Sequence, residues 1–321
     1  MTPVHTLVVG DTNPDFILRG DVKPRFGQAE QLLTSADLVL GGSASIVASG
    51  LVKLDVDTGL LATVGSDYFG TLTEKYLAEC GIDTSEVLKS PGGATGISVI
   101  LSQPDDRSIF TFPGVIPTLS IDAVRASIRR AQPKHVHFSS YFLVPELATG
   151  LPALLDEITA EGITTSVDTN WDPSEQWTGL DEVLPRITHF MPNRQELRAV
   201  GAGYADDPAG SDEDIALALA RLGPVVIVKR GSEGGLVVTP QGHVHTVDVP
   251  DVSVVDTTGA GDSFNAAYIA AMAHGVDDHD ERLRWATLAG SHSVTRSGGT
   301  GAQIHLSELT KTLDGVGIPS V

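Results

Sequence analysis

Short apolar runs recur along this chain, each separated from the next by a stretch long enough for a helix. Residues 5–10 read HTLVVG, a run that ends in glycine. Residues 60–64, 136–138, 164–167, 225–228 and 236–238 carry similar runs. A strand that is apolar along its whole length is buried on both faces. Such strands, alternating with helix-length segments, predict βαβ units and an α/β chain, with a mostly parallel central sheet and helices on both faces. Ser211 can cap the helix that follows it, the acids of DEDIALALARLG suit that helix's first turn, and Gly223 can end it.

Two stretches break this rhythm, roughly residues 11–40 and 92–119. Both alternate apolar and polar residues, as in 96–101 and 108–112, and Asp105–Asp106 between those runs has the look of a hairpin turn. They predict antiparallel strands outside the parallel core, paired into a small sheet that serves as a lid or a dimerisation surface. No linker divides the chain, so residues 1–321 read as a single domain with two lid excursions. Lys and Arg number 21 against 41 Asp and Glu, a formal charge of −20, which argues against nucleic acid or an anionic membrane as partner. The one cysteine, Cys80, excludes an intrachain disulfide framework and a four-cysteine zinc site. The N-terminus lacks signal-peptide features and no apolar run approaches membrane-helix length, so a cytoplasmic protein is expected.

Residues 254–272 carry the most chemistry: VVDTTGAGDSFNAAYIAAM. Gly259, Ala260 and Gly261 precede a helix expected over 263–272. Small residues there leave backbone N–H groups exposed at the positive helix end, where phosphate binds. A carboxylate at Asp262 repels a resting phosphate. It makes sense as the group that takes a proton from an attacking hydroxyl, while the amides stabilise the transferring phosphoryl group. The structural alternative is Asp262 as a helix N-cap beside a tight glycine turn.

The VDTTGAGDSF string resembles the signature of the ribokinase-like (PfkB) family of carbohydrate and purine kinases. Gly41, Gly42, Ser43 and Ala44 resemble its double-glycine motif. Residues 63–70 (TVGSDYFG), the Asn193-x-x-Glu196 pair, residues 228–231 with Gly234 and Gly235, and residues 294–298 are similar to its further motifs, in family order.

The resemblance implies a three-layer ribokinase-like fold and transfer of the γ-phosphoryl of ATP to a hydroxyl. It implies that Asp262 is the catalytic base, with Gly259, Ala260 and Gly261 as the anion hole. Asn193 and Glu196 would organise Mg²⁺ through water. Asp256 and Thr258, facing Ser293, Arg296 and Gly298 through backbone carbonyls, would form a monovalent-cation site, with K⁺ as the expected ion. Lys229, Gly231, Gly234, the helix over 286–293 and Asn265 would flank ATP, together with Asn193, Gly259 and Gly261. Asp15, Gly41, Gly42, Arg107 and the residue at Ile46 would meet the acceptor, a small sugar or polyol.

Two positions depart from the family pattern. Ile46 replaces a common asparagine and cannot hydrogen-bond a sugar, which argues against ribose. Asp172 stands where acid-sugar kinases carry arginine. Arg19, Lys23, Arg25 and Arg107 leave a sugar phosphate open. Phe110, Phe112, Tyr141 and Phe142, as stacking partners or core residues, leave a nucleoside open. His135 and His137, like His243 and His245, share strand faces without a third metal ligand nearby.

Overall fold

A computed structural model describes residues 4–103 and 107–315; the hairpin turn expected at Asp105–Asp106 lies outside them. The chain opens on β1 (Thr6–Val9), then leaves the core for β2 (Asn13–Gly20) and β3 (Leu33–Gly41). Helix α1 (Ser43–Lys53) leads back to β4 (Thr58–Leu61). The short strands β5 (Thr63–Gly65) and β6 (Leu88–Ser90) bracket α2 (Tyr68–Glu79). A second excursion supplies β7 (Ile97–Ser102) and β8 (Arg107–Phe112). Regular alternation follows: α3 (Ile121–Ala131), β9 (His135–Phe138), α4 (Pro145–Ala160), β10 (Thr164–Val167), β11 (His189–Phe190), α5 (Arg194–Gly201), α6 (Asp212–Ala220) and β12 (Val225–Lys229). The chain closes with β13 (Gly235–Val238), β14 (Val244–Val247), α7 (Ala260–Ala273), α8 (His279–Ser293) and α9 (Leu306–Leu313).

The main sheet runs β14-β13-β12-β11-β10-β9-β1-β4. From β4 to β12 every pairing is parallel, and β13 and β14 add an antiparallel edge. The run at 236–238 is thus a strand, but an antiparallel one, because only a tight turn joins it to β12. The run at 60–64 splits into β4 and β5, which belong to different sheets.

Alternation along each buried strand divides two cores. Leu7 and Val9 of β1 and Val226 and Val228 of β12 face the layer of α3 to α6. Val8 and Ile227 face the opposite layer, with α1, α7, α8 and α9. Ser211 caps α6, as the sequence predicts, and Asp214 completes a reciprocal capping box with it.

The lid is a separate sheet in the order β3-β2-β7-β8. Each excursion is an antiparallel pair, and the two are joined by parallel pairing of β2 with β7.

Candidate active site

Parallel strands aim their carboxyl ends at one edge of the sheet, the usual place for ligands in such folds. Asp11 follows β1, Ser140 follows β9, Asp168 follows β10, Asn193 follows β11, and Lys229 ends β12. The lid and the start of α7 close over this edge.

Helix α7 begins at Ala260, earlier than the sequence pattern suggests, with Gly259 as its N-cap at φ 72°. That left-handed conformation suits glycine, and a Cβ there would stand 2.6 Å from the Gly299 Cα. Asp262 therefore lies inside the first turn and does not cap the helix. Its Oδ1 accepts from the Ser43 hydroxyl at 2.5 Å, across from α1. Burial is the main cause that pushes the Asp262 carboxyl up to about 7; Asp168 and Asp11 add repulsion, and Ser43 and Lys229 oppose it.

Asp15 enters from β2. Its carboxylate occupies the space a Cβ at Gly41 would need, 2.0 Å from the carboxyl carbon. Asn13 Nδ2 donates to it at 2.8 Å. Burial, then the neighbouring Asp11, push Asp15 up to about 7. Asp11 is itself raised by burial, though it accepts from the Ala44 N–H and the Ser140 hydroxyl. Arg107 on β8 reaches Thr257 Oγ1 at 3.2 Å and contributes positive potential at Asp15.

Asn193 and Glu196 form a capping box at the start of α5: Asn193 Oδ1 accepts from the Glu196 N–H, and Glu196 Oε2 accepts from the Asn193 N–H. Glu196 is buried and pushed up to about 7, first by burial and then by Asp168. Among the described residues no group of three or more His, Cys, Asp or Glu is placed to hold a metal ion. Asn193 Nδ2 also donates to Glu196 Oε1, so this pair would meet a divalent ion only through water, with the ion carried by substrate phosphates.

Lys229 Nζ donates to Asp168 Oδ2 at 2.5 Å and to the Met191 carbonyl at 2.7 Å. Burial alone would lower this ammonium, but Asp168 and Glu196 hold it above its ordinary value. The Lys229 stem also passes Gly261, with Cδ 3.3 Å from where a Cβ would stand. Asn265 Nδ2 donates to Asp168 at 2.6 Å. Asp168, at the carboxyl end of an apolar run and the first residue of the segment compared with an Asp-x-Asn-x-Arg motif, is thus a central residue to which motif reading gave no role.

Beside the Gly259–Gly261 turn lies a cleft of about 440 Å³, lined by Lys229, Gly231, Gly234, Ala260, Gly261, Phe264, Thr287, Gly290 and Ser291, among others. Its walls mix apolar side chains with exposed backbone, as a nucleotide pocket requires.

Several residues stand apart from the acceptor side. Ile46 is buried and packs against Gly259 and Gly299, with Cδ1 2.5 Å from the Cβ position of Gly299. Asp172 turns into its own loop, accepting from Ser174, Gln176 and Trp177 N–H groups. Tyr141 and Phe142 belong to the core, edge to face at 5.1 Å. His135 and His137 are buried and share Ser166 as hydrogen-bond partner. Arg25 pairs with Asp21 at the surface.

Of the groups expected around K⁺, the Asp256 carboxylate is already engaged. Asp256 Oδ1 accepts from the Thr258 N–H and Oδ2 from the Gly298 N–H. Arg19 Nη2, from lid strand β2, donates to the same Oδ2 at 2.7 Å. Burial would raise Asp256, but these donors hold it below the usual carboxylate range. Ser293 donates to the Gly290 carbonyl, and Arg296 is exposed.

Residues 5–305 match the model described as pfkB family carbohydrate kinase. The chain belongs to the pfkB family. A Halopiger xanaduensis protein named ATP-dependent ribose-1-phosphate kinase is 32% identical over 305 residues, covering 93% of this pfkB-family chain and 95% of the relative. An Arabidopsis thaliana ribokinase is 28% identical, covering 91% and 76% respectively. The solved Arabidopsis ribokinase complexed with ribose and ATP superposes with a TM-score of 0.80 at 26% identity, over 97% of this chain and 99% of that one. This pfkB-family protein has the ribokinase fold and is a phosphotransferase with an alcohol group as acceptor.

Proposed function

We propose that the chain transfers the γ-phosphoryl group of ATP to a primary hydroxyl of a small neutral sugar or polyol. The observation that carries this reading is the Asp262 carboxylate, half-buried in the first turn of α7, directly after the Gly259–Gly261 turn and within electrostatic reach of Asp15. Asp15 and Asn13 orient the acceptor. Its hydroxyl gives its proton to Asp262, its oxygen bonds to the γ-phosphorus, and the bond from that phosphorus to the ADP oxygen breaks. The α7 amides stabilise charge on the transferring group. The cleft beside Gly231 and Gly261 receives the nucleotide, whose Mg²⁺ would be held through water by Asn193 and Glu196.

A neutral acceptor suits the charge on this side, where Asp11, Asp15 and Asp262 cluster and Arg19 is spent on Asp256. The name of the Halopiger relative favours a second reading, a phosphorylated pentose, with Arg107 as the cation that meets the phosphate. The lid sheet leaves Ile109, Phe110 and Phe112 about half exposed, which supports pairing of two copies through the lid. Sedimentation of a monomer at micromolar concentration would rule that pairing out.

The test is ADP release with Mg²⁺ across ribose, fructose, polyols, ribose-1-phosphate and nucleosides. Asp262→Asn is expected to lose roughly a thousandfold or more of turnover while still binding ATP. Turnover like that of the wild type in this variant sinks the mechanism. Arg107→Ala should raise the KM for ribose-1-phosphate and spare that for ribose if the phosphorylated acceptor is correct.

A further inference from the structure

The loop that carries the anion hole is held by one buried carboxylate. Asp256 has only 3% of its side chain exposed and ties residues 256–258 to the loop at 298. Anions in such positions need a compensating positive charge. Here that charge arrives from the lid. Arg19 on β2 donates to Asp256 Oδ2 and to Ser297 Oγ, both at 2.7 Å, and its other nitrogen donates to Asp37 at 2.6 Å. Asp37 lies on the neighbouring lid strand, and Ser297 Oγ is 3.2 Å from the same Asp37 oxygen. Three elements are thus knotted around one guanidinium.

We infer that Arg19 occupies, as a permanent side-chain charge, the role expected of K⁺ beside the anion hole, so that this kinase works without a monovalent cation. A potassium ion seated on Asp256 would sit beside the guanidinium and be repelled by it. With the Asp256 carboxylate taken by Arg19, only neutral oxygens of the loop are left, and these hold K⁺ poorly against water. Because the charge rides on β2, the position of the lid and the order of the anion-hole loop become one equilibrium. A soluble ion would leave the two independent.

The inference leans on the kinase reading only for its activity arm, and a binding arm stands apart from it. Thermal unfolding is compared in KCl and tetramethylammonium chloride at matched ionic strength, and Tl⁺ binding is followed by ²⁰⁵Tl line broadening. Wild-type protein is expected to show no K⁺-specific rise in Tm and no saturable Tl⁺ site. Arg19→Gln is expected to gain both, because the vacated carboxylate then takes the ion. On whichever acceptor proves active, wild-type turnover should agree within about twofold between the two salts, and Arg19→Gln should become at least tenfold faster in K⁺. Saturable Tl⁺ binding to the wild type that Asp256→Asn removes would overturn the inference, whatever the variant does. So would K⁺ activation of the wild type by tenfold or more, or a folded Arg19→Gln that binds no Tl⁺. Failure of the kinase reading would leave all acceptors silent without altering the Tl⁺ result.

Discussion

Asp262 must be ionised to accept a proton, and burial sets its titration near 7. The proposed turnover should therefore rise with pH through about 7 and level off above it, which a kcat/KM profile will show. Ser43 donates to this carboxylate and so favours its charged form. Losing a charge-assisted hydrogen bond of this kind costs roughly 1.5–3 kcal/mol, so Ser43→Ala should move the rising limb about one to two units more alkaline. An unmoved limb would mean that another group controls the profile. Ser43 was legible only as part of a double-glycine motif. That its hydroxyl meets a carboxylate 219 residues away depends on α1 and α7 packing side by side.

At the scale of elements, the proposed anion hole depends on the backbone of Gly259. Gly259→Ala forces a left-handed residue against Gly299, a strain of roughly 1–3 kcal/mol. Both Tm and turnover should fall, with turnover falling further because the amides lose their aim. Ser211→Ala removes only the cap of α6 and should cost about 1 kcal/mol with turnover unchanged, measured by denaturant unfolding and ADP release. These two elements also mark what sequence can reveal. The Ser211 cap of α6 and the span of β10 follow from neighbours in the chain, and both were readable. The split of 60–64 between two sheets was not, because it turns on where the lid and core separate. The Arg19–Asp256 pair, 237 residues apart, has no local signal at all. Asp168 had one, its place at the end of an apolar strand, which counts for more than its immediate neighbours in sequence.

The whole molecule stores unfavourable ionisation at the carboxyl edge of its sheet. Asp15, Asp262 and Glu196 each titrate near 7 in the fold, raised from ordinary carboxylate values. A raised group contributes stability below its unfolded pKa and loses it as pH rises through the folded one. Unliganded protein should accordingly lose stability between about pH 4 and pH 7 from these groups, and Asp262→Asn should be the more stable protein at pH 8. His137 and His189 act in the opposite direction. Burial holds them at about 4 and about 3, so their contribution is present above about 6.5 and lost as pH falls. Chemical denaturation across pH 4–9 will separate the two trends, and an Asp262→Asn protein no more stable than wild type at pH 8 would refute the first. The lid bears on a different property, its timing. Its two excursions are joined through the middle by parallel pairing of β2 with β7, so neither hairpin can swing without the other. The sheet behaves as one plate on four chain crossings. Fluorophores on β3 and on β8 should therefore relax with a single shared rate constant after rapid mixing with nucleotide.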